Sequence, residues 1–96
     1  MRIEFESEVT LWGARVESWF FATLPEEPSL EIRELPAPPR GFGSLRVQAR
    51  IGSTAWSTSI FFVGSAFVLP LKKRVRQEQR IEVGDVITVD LDILDV

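Results

Sequence analysis

Short segments in which apolar and polar side chains alternate cover most of this chain. A period of two predicts strands that bury one face, and the pattern is clearest where Leu45, Val47, Ala49 and Ile51 alternate with polar residues. Six segments are expected to be strands: residues 3–11, 16–24, 45–51, 54–62, 66–69 and 86–94. Gly52-Ser53 has the length and composition of a two-residue hairpin turn between two of them.

Two short helices are expected between the strands. The first is predicted to start with Ser29 as its N-cap and to run to Leu35, burying Leu30 and Ile32. The second is predicted over residues 70–80, with Pro70 in its first turn, where the missing N–H of proline costs nothing. Leu71, Val75 and Gln79 are its expected inward-facing residues.

Six strands in 96 residues restrict the architecture to a few choices. The helices are too short to serve as crossovers between parallel strands, so a doubly wound α/β fold is excluded. Closing the sheet removes the exposed edges that so many short strands would otherwise present. The sequence therefore predicts a mainly β protein. Residues 1–96 are expected to form one domain, a small closed or double-split β-barrel of about six strands with two short helices.

An internal repeat supports a barrel built from two equivalent halves. Leu24-Pro25, a helix containing Ile32-Arg33 and an alternating strand form the first copy in outline. Leu69-Pro70, a helix containing Val75-Arg76 and the last strand form the second copy. This order predicts a pseudo-twofold relation between the halves.

The composition excludes whole classes of chemistry. The chain has no cysteine and no histidine, so it cannot contain a disulfide, a thiolate nucleophile or an imidazole base or ligand. The aspartates at positions 90, 92 and 95 lack the loop spacing of a calcium site. We therefore expect no enzymatic activity, no catalytic residue, no metal and no cofactor. No segment is apolar enough to span a membrane, and the N-terminal residues do not resemble a signal peptide, so a cytoplasmic location is expected.

The chain resembles the small bacterial family called domain of unknown function 1905. The matching residues lie along nearly the whole chain: Phe5, Leu11-Trp12, Trp19-Phe20-Phe21, Leu24-Pro25, Ser29, Gly43, Ile51-Gly52, Trp56-Ser57-Thr58-Ser59-Ile60-Phe61, Leu69-Pro70, Lys72, Val75-Arg76 and Gly84-Asp85. Phe62, where members often have proline, and a short break at Gly64-Ser65 depart from the pattern. The resemblance implies a double-split β-barrel without an established activity. The segment from Leu69 to Val89 is also similar to the swapped-hairpin half-barrel of AbrB/MazE transcription regulators.

Charges on two strands suggest a pairing. Glu4, Glu6 and Glu8 share one outward face, and Arg46 and Arg50 share another. Opposite charges across an antiparallel ladder stabilise the pair by ~0.2–1 kcal/mol each. We therefore expect these two strands to be neighbours.

The second helix is strongly basic and carries the alternative functional reading. Lys72, Lys73, Arg76 and Arg80 could form a phosphate-binding strip, as the AbrB/MazE resemblance implies. The simpler interpretation is a solvated helix face, which is the usual fate of such charge runs. The net charge of −3 and an acidic first helix disfavour nucleic acid as the partner.

Opposite charges on the two helices also allow copies of the chain to pair. The first helix carries Glu27, Glu31 and Glu34, whereas the second is basic. Acidic and basic patches on one molecule can join head to tail between copies. The expected state is a monomer or a weak homodimer.

Aromatic residues give the main indication of ligand binding. Trp12, Trp19 and Trp56 are candidates for the wall of a pocket, and the loop containing Arg40 and Phe42 is a candidate ligand loop. The simpler interpretation is that the aromatic side chains fill the core. The sequence leaves the biochemical function unknown and favours a non-enzymatic module that binds an unidentified small molecule or protein partner.

Overall fold

The computed structural model of the protein describes residues 2–12, 19–33, 44–64 and 66–94. The elements in these ranges are β1 (Arg2–Trp12), β2 (Trp19–Thr23), α1 (Glu26–Arg33), β3 (Ser44–Ile51), β4 (Thr54–Val63), β5 (Ala66–Pro70), α2 (Lys73–Gln79) and β6 (Val86–Ile93). No helix in the described ranges is long and apolar enough to cross a membrane.

The six strands close into an antiparallel barrel. Around the barrel the strand order is β1-β2-β5-β4-β3-β6, and β6 pairs with β1 to complete the ring. The prediction of a mainly β, six-stranded barrel with two helices is confirmed. The Gly52-Ser53 hairpin joins β3 and β4, as expected.

The barrel has the pseudo-twofold symmetry that the repeat predicts. Exchanging β1 with β4, β2 with β5 and β3 with β6 reproduces the same circular strand order. Equivalent hydrogen bonds extend the β2–β5 ladder at its two ends, from Leu24 N–H to the Phe67 carbonyl and from Leu71 N–H to the Phe20 carbonyl. They relate Leu24 to Leu71, whereas the sequence repeat relates Leu24 to Leu69. The structural alignment therefore differs from the sequence alignment by two residues, which keeps each side chain on its face.

Alternating side chains fill the barrel interior. Along β3 the buried residues are the four apolar ones, and β6 buries Ile87, Val89, Leu91 and Ile93 in the same way. The apolar positions predicted for these two strands are confirmed. Burial of a large aliphatic side chain contributes about 1.5–3 kcal/mol, so this interior is the main source of stability.

The expected pairing of the glutamate strand with the arginine strand is wrong. β6 lies between them and pairs with β1 on one side and with β3 on the other. The acidic face of β6 thus provides the neighbours of Arg50, and Glu4 is placed opposite Asp90. Charge complementarity is too weak to override the topology that closes the barrel.

Helix α1 begins three residues earlier than the sequence predicts. It starts at Glu26 because Pro28 can occupy the first turn, where the N–H groups have no helical partner. Ser29 is therefore not an N-cap but a fully buried residue inside the helix, and Leu30 is exposed. The Ser29 hydroxyl accepts a hydrogen bond of 3.1 Å from the Phe67 N–H of β5. This bond joins α1 to the barrel.

Helix α2 begins later than predicted. Pro70 ends β5 opposite Phe21, and the N–H of Leu71 still donates to β2, so the extended backbone continues to that point. The helix then runs from Lys73 to Gln79 and ends at Arg80, which has a left-handed backbone (φ 54°). Val75 is buried as expected.

Each helix places an arginine over a phenylalanine ring of the barrel. The Arg33 guanidinium lies 4.5 Å from the centroid of Phe62, and that of Arg76 lies 3.8 Å from the centroid of Phe20. The preceding residues of the two helices, Ile32 and Val75, are buried in the core. In both halves the apolar residue of the repeated apolar–arginine pair is buried in the core, and the arginine makes a cation–π contact with the barrel.

A polar cluster fixes α2 against the β3–β4 hairpin. The buried Thr54 hydroxyl donates to Glu78 Oε1 at 2.9 Å and accepts from Gln79 Nε2 at 2.8 Å. The hairpin residue Gly52 has φ +59°, and a Cβ there would lie 2.6 Å from Gln79 Oε1. The backbone conformation at position 52 therefore favours glycine, and a Cβ there would displace the end of the Gln79 side chain.

We predict that Ser29→Ala lowers the free energy of unfolding by about 1–3 kcal/mol, because it leaves the buried Phe67 N–H without its acceptor. Urea denaturation measures this change. Ser57→Ala is the control, since that hydroxyl is exposed and bonded to the exposed Gln48 side chain. The control should change stability by less than about 0.5 kcal/mol. Equal effects of the two variants would show that the Ser29 bond is not important.

We also predict that Gly52→Ala is more destabilising than Gly64→Ala. Both glycines have positive φ, so each alanine variant carries a conformational cost of about 1–2 kcal/mol. Only position 52 has a close neighbour, because no described atom lies within 4 Å of a Cβ at position 64. Thermal unfolding of both variants isolates the added cost of displacing Gln79. Equal losses of stability would contradict the close packing of α2 on the hairpin.

Candidate functional site

The outer faces of four neighbouring strands carry polar side chains in two rows. Each row crosses β4, β3, β6 and β1 in that order. The first row contains Ala55, Arg50, Asp90 and Glu4. The second row contains Ser57, Gln48, Asp92 and Arg2. Because adjacent strands lie about 4.8 Å apart, each row places its side chains within reach of their neighbours.

A depression of about 260 Å³ lies between these rows. Its lining residues come from all four strands: Arg2, Gln48, Arg50, Ala55, Asp90, Leu91 and Asp92. Ala55 contributes only a methyl group, so it leaves space at the β4 end of the first row. We call this depression the polar groove.

Charges of both signs line the polar groove. Arg50 Nη2 lies 3.2 Å from Asp90 Oδ2, and the two side chains are 54% and 32% exposed. An ion pair this exposed contributes little to stability, about 0–1 kcal/mol. Arg2 is exposed and has no ion pair with a described residue, and Glu4 is placed opposite Asp90, a second carboxylate. These charges are therefore available to a ligand more than they are needed by the fold.

The charged side chains of the groove can bind groups of opposite charge. Arginine offers a planar pair of donors to a carboxylate, and aspartate accepts hydrogen bonds from an ammonium group. The nearby Ser57 hydroxyl donates to Gln48 Oε1 at 2.7 Å, and an amide is not a general base. Among the described residues, no three acidic side chains are grouped as a metal site requires.

The basic residues proposed for nucleic acid do not all face solvent freely. The Arg76 Nε donates to the Leu71 carbonyl at 3.2 Å, and its guanidinium stacks on Phe20. The Lys72 Nζ donates to the Ser57 carbonyl at 3.3 Å. Lys73 and Arg80 are exposed. Two members of the expected strip thus have contacts within the protein, and two remain open to a partner.

The aromatic candidates do not form a described pocket. Trp56 is buried in the barrel core, and its indole N–H has no hydrogen-bond partner among the described residues. Trp12 and Trp19 are cross-strand neighbours at the level of the backbone, where β1 meets β2. Arg40 and Phe42 lie outside the described residues, so their role stays a prediction. Among the described residues the structure therefore places Trp12 beside Trp19 and keeps Trp56 in the core.

Sequence reasoning missed the polar groove because its residues are far apart along the chain. Positions 2, 48–50, 55 and 90–92 become neighbours only when β6 inserts between β1 and β3. The outward arginines of β3 and the outward aspartates of β6 are the sequence signal that could have identified the groove. The prediction made from the sequence instead pairs the β3 arginines with the glutamates of β1.

The fold is that of a small, closed, antiparallel β-barrel. A family model described as Domain of unknown function (DUF1905) matches residues 5–91, which is most of the chain. The protein therefore belongs to this family, whose function is unknown. A search of curated proteins gives no match.

The polar cluster of α2 predicts a stability change in acid. The hydrogen bond from Thr54 and the adjacent Arg74 guanidinium hold the pKa of Glu78 below its ordinary value of 4.5. A carboxylate whose pKa is lower in the folded state stabilises the fold above its unfolded pKa. It loses that contribution as pH falls through the folded value.

Glu78→Gln should therefore be less stable than the unmodified protein at pH 7, and the two should converge as pH falls through the lowered pKa of Glu78. Urea denaturation from pH 7 into acid measures the difference. Glu31→Gln is the matched control, because it removes one carboxylate charge from α1, outside the polar cluster of α2. A constant difference between the Glu78 variant and the unmodified protein at every pH would contradict the assignment.

Proposed function

We propose that this protein is a non-enzymatic binding module that holds a small polar ligand in the polar groove. The observation that carries the proposal is a depression lined by two arginines and two aspartates, all on paired strands of one barrel. A volume of about 260 Å³ fits a ligand below drug size. The proposal retains the cytoplasmic location expected from the sequence.

The barrel supports binding because it holds these side chains in a prepared arrangement. Both neighbours of β6 are hydrogen-bonded to it along the rows that form the groove. A ligand therefore does not need to order the backbone when it binds, which reduces the entropic cost of association.

The chemistry of the side chains favours binding over catalysis. The chain has neither histidine nor cysteine, and the hydroxyl nearest the groove is bonded to an amide. General acid–base or nucleophilic catalysis needs a base within reach of the reacting group. The groove instead offers fixed charges, which recognise a ligand without changing it.

Nucleic acid is the second candidate, favoured by the exposed Lys73 and Arg80 of α2. Against it, Arg76 is engaged with Phe20, and α1 carries the exposed Glu27 and Glu31. A DNA phosphate backbone would be attracted by one helix and repelled by the other.

Proposed binding is tested by recording backbone amide spectra during titration with four compounds at millimolar concentration. The compounds are a dicarboxylate, a diamine, a dipeptide and a neutral polyol. We expect at least one charged compound to shift the amides of residues 48–50, 55 and 90–92. Arg50→Gln should weaken that binding about tenfold, as expected for loss of one charge-assisted hydrogen bond. No shift with any compound, or shifts located elsewhere, would overturn the proposal.

Two controls accompany this titration. Glu6→Gln changes an outward carboxylate of β1 that lies opposite Thr88, outside the groove, and should leave binding unchanged. Fluorescence anisotropy with labelled duplex DNA at low and moderate salt tests the second candidate. Salt-sensitive binding that is lost in Lys73→Ala and Arg80→Ala, with no groove ligand, would favour nucleic acid instead.

A further inference from the structure

We infer that the polar groove recognises a short zwitterion, a ligand that carries one ammonium and one carboxylate group a few ångströms apart, as a dipeptide does. This inference rests on the proposed function. It concerns the chemical class of the ligand and the part of the groove that holds each of its charges.

The balance of charges in the groove selects against ligands of a single sign. Arg50 and Asp90 form an ion pair with each other, whereas Arg2 has no ion pair with a described residue and Glu4 stands opposite Asp90 on β1. A simple anion would gain from Arg2 but would be repelled by Asp90 and Glu4, and a simple cation would be attracted by these two carboxylates but repelled by the arginines. A ligand with both charges can satisfy both sets at once.

The ammonium group of the ligand would bind in the first row, beside Asp90. Glu4 stands directly opposite Asp90 across the β1–β6 ladder, and like charges in this arrangement repel. Arg50 approaches Asp90 from the β3 side only. An ammonium group between Glu4 and Asp90 would remove the repulsion and donate hydrogen bonds to both carboxylates.

The position for the carboxylate group is Arg2, in the neighbouring row. Its guanidinium is exposed, stands opposite Asp92 across the β1–β6 ladder and has no ion pair with a described residue, so it can offer paired N–H donors to a ligand carboxylate. Arg2 lies two residues before Glu4, on the same face of β1. This spacing places the two rows about 7 Å apart.

The spacing of the two positions favours a dipeptide over a single amino acid. In a dipeptide the charged groups flank one peptide unit, whose Cα atoms are about 3.8 Å apart. The bonds from each Cα to its charged group add to this length, so the distance between the ammonium and carboxylate groups of a dipeptide approaches the distance between the two rows. In an α-amino acid the two charged groups are attached to one carbon, so the distance between them is shorter.

The test compares four probes by amide-shift titration: glycylglycine, its N-acetylated form, its C-terminal amide and glycine. Glycylglycine should bind at least about tenfold more tightly than either blocked form, because each blocked form loses one charge-assisted contact. Glycine should bind more weakly than glycylglycine.

Two variants locate the charges. In Arg2→Gln, glycylglycine and its amide should bind equally, because the carboxylate has lost its partner. In Asp90→Asn, the difference in affinity between glycylglycine and its acetylated form should become smaller, because the ammonium group has lost one of its partners. Glu6→Gln should preserve the three differences between glycylglycine and the other probes, and amide spectra without ligand verify that each variant is folded.

The outcomes separate this inference from the proposed function. If the blocked forms bind the groove as tightly as glycylglycine, or if only a dicarboxylate or a diamine binds there, the inference of a zwitterionic ligand is wrong. The proposed binding function would still hold. If no probe and no compound of any charge class binds in the groove, both are wrong.

Discussion

Insertion of β6 between β1 and β3 is the constraint on which the rest of this structure depends. Without that strand the other five would form an open sheet with two free edges. With it, every inward side chain faces others across a filled interior, and Val89 and Leu91 of β6 are almost completely buried. The same insertion creates the polar groove, because it places the aspartates of one strand beside arginines from two others.

The helices are attached by individual polar contacts as well as by apolar packing. Ser29 joins α1 to β5, and Thr54 joins α2 to the β3–β4 hairpin. An arginine of each helix stacks on a phenylalanine. These contacts differ in detail between the two halves, although the strand order is equivalent. The pseudo-twofold symmetry therefore describes the backbone, while the surfaces of the halves are distinct in charge and free to serve different roles.

The sequence predicts the local features of this fold well. Alternation over β3 and β6 identifies their buried faces, and Gly52-Ser53 identifies the hairpin, because both signals depend on neighbouring residues only. The helix starts are less accurate. A proline is tolerated in the first turn of a helix and also at the end of a strand, and Pro28 and Pro70 illustrate the two cases.

The groove could not be predicted in the same way. Its residues meet through pairings between strands that are distant in the sequence, and outward charges on several strands allow more than one arrangement of neighbours. Opposite charges predict β1 as the neighbour of the arginine strand, and that prediction is wrong because β6 lies between the two. Charge alone cannot select the neighbouring strand, because a cross-strand ion pair contributes less than the burial of one core residue.

The register of β1 and β6 has a consequence for the response of the barrel to mechanical load. Arg2 is paired with Asp92, so the first and last strands enter and leave the ladder at the same place. A pulling force applied through the chain before Arg2 and after Asp92 would act on one pair of residues at a time. The strands would separate like a zipper instead of sliding past each other under shear. The two rows that form the polar groove are the first to part, so tension on the backbone would disrupt the groove before it disrupts the core.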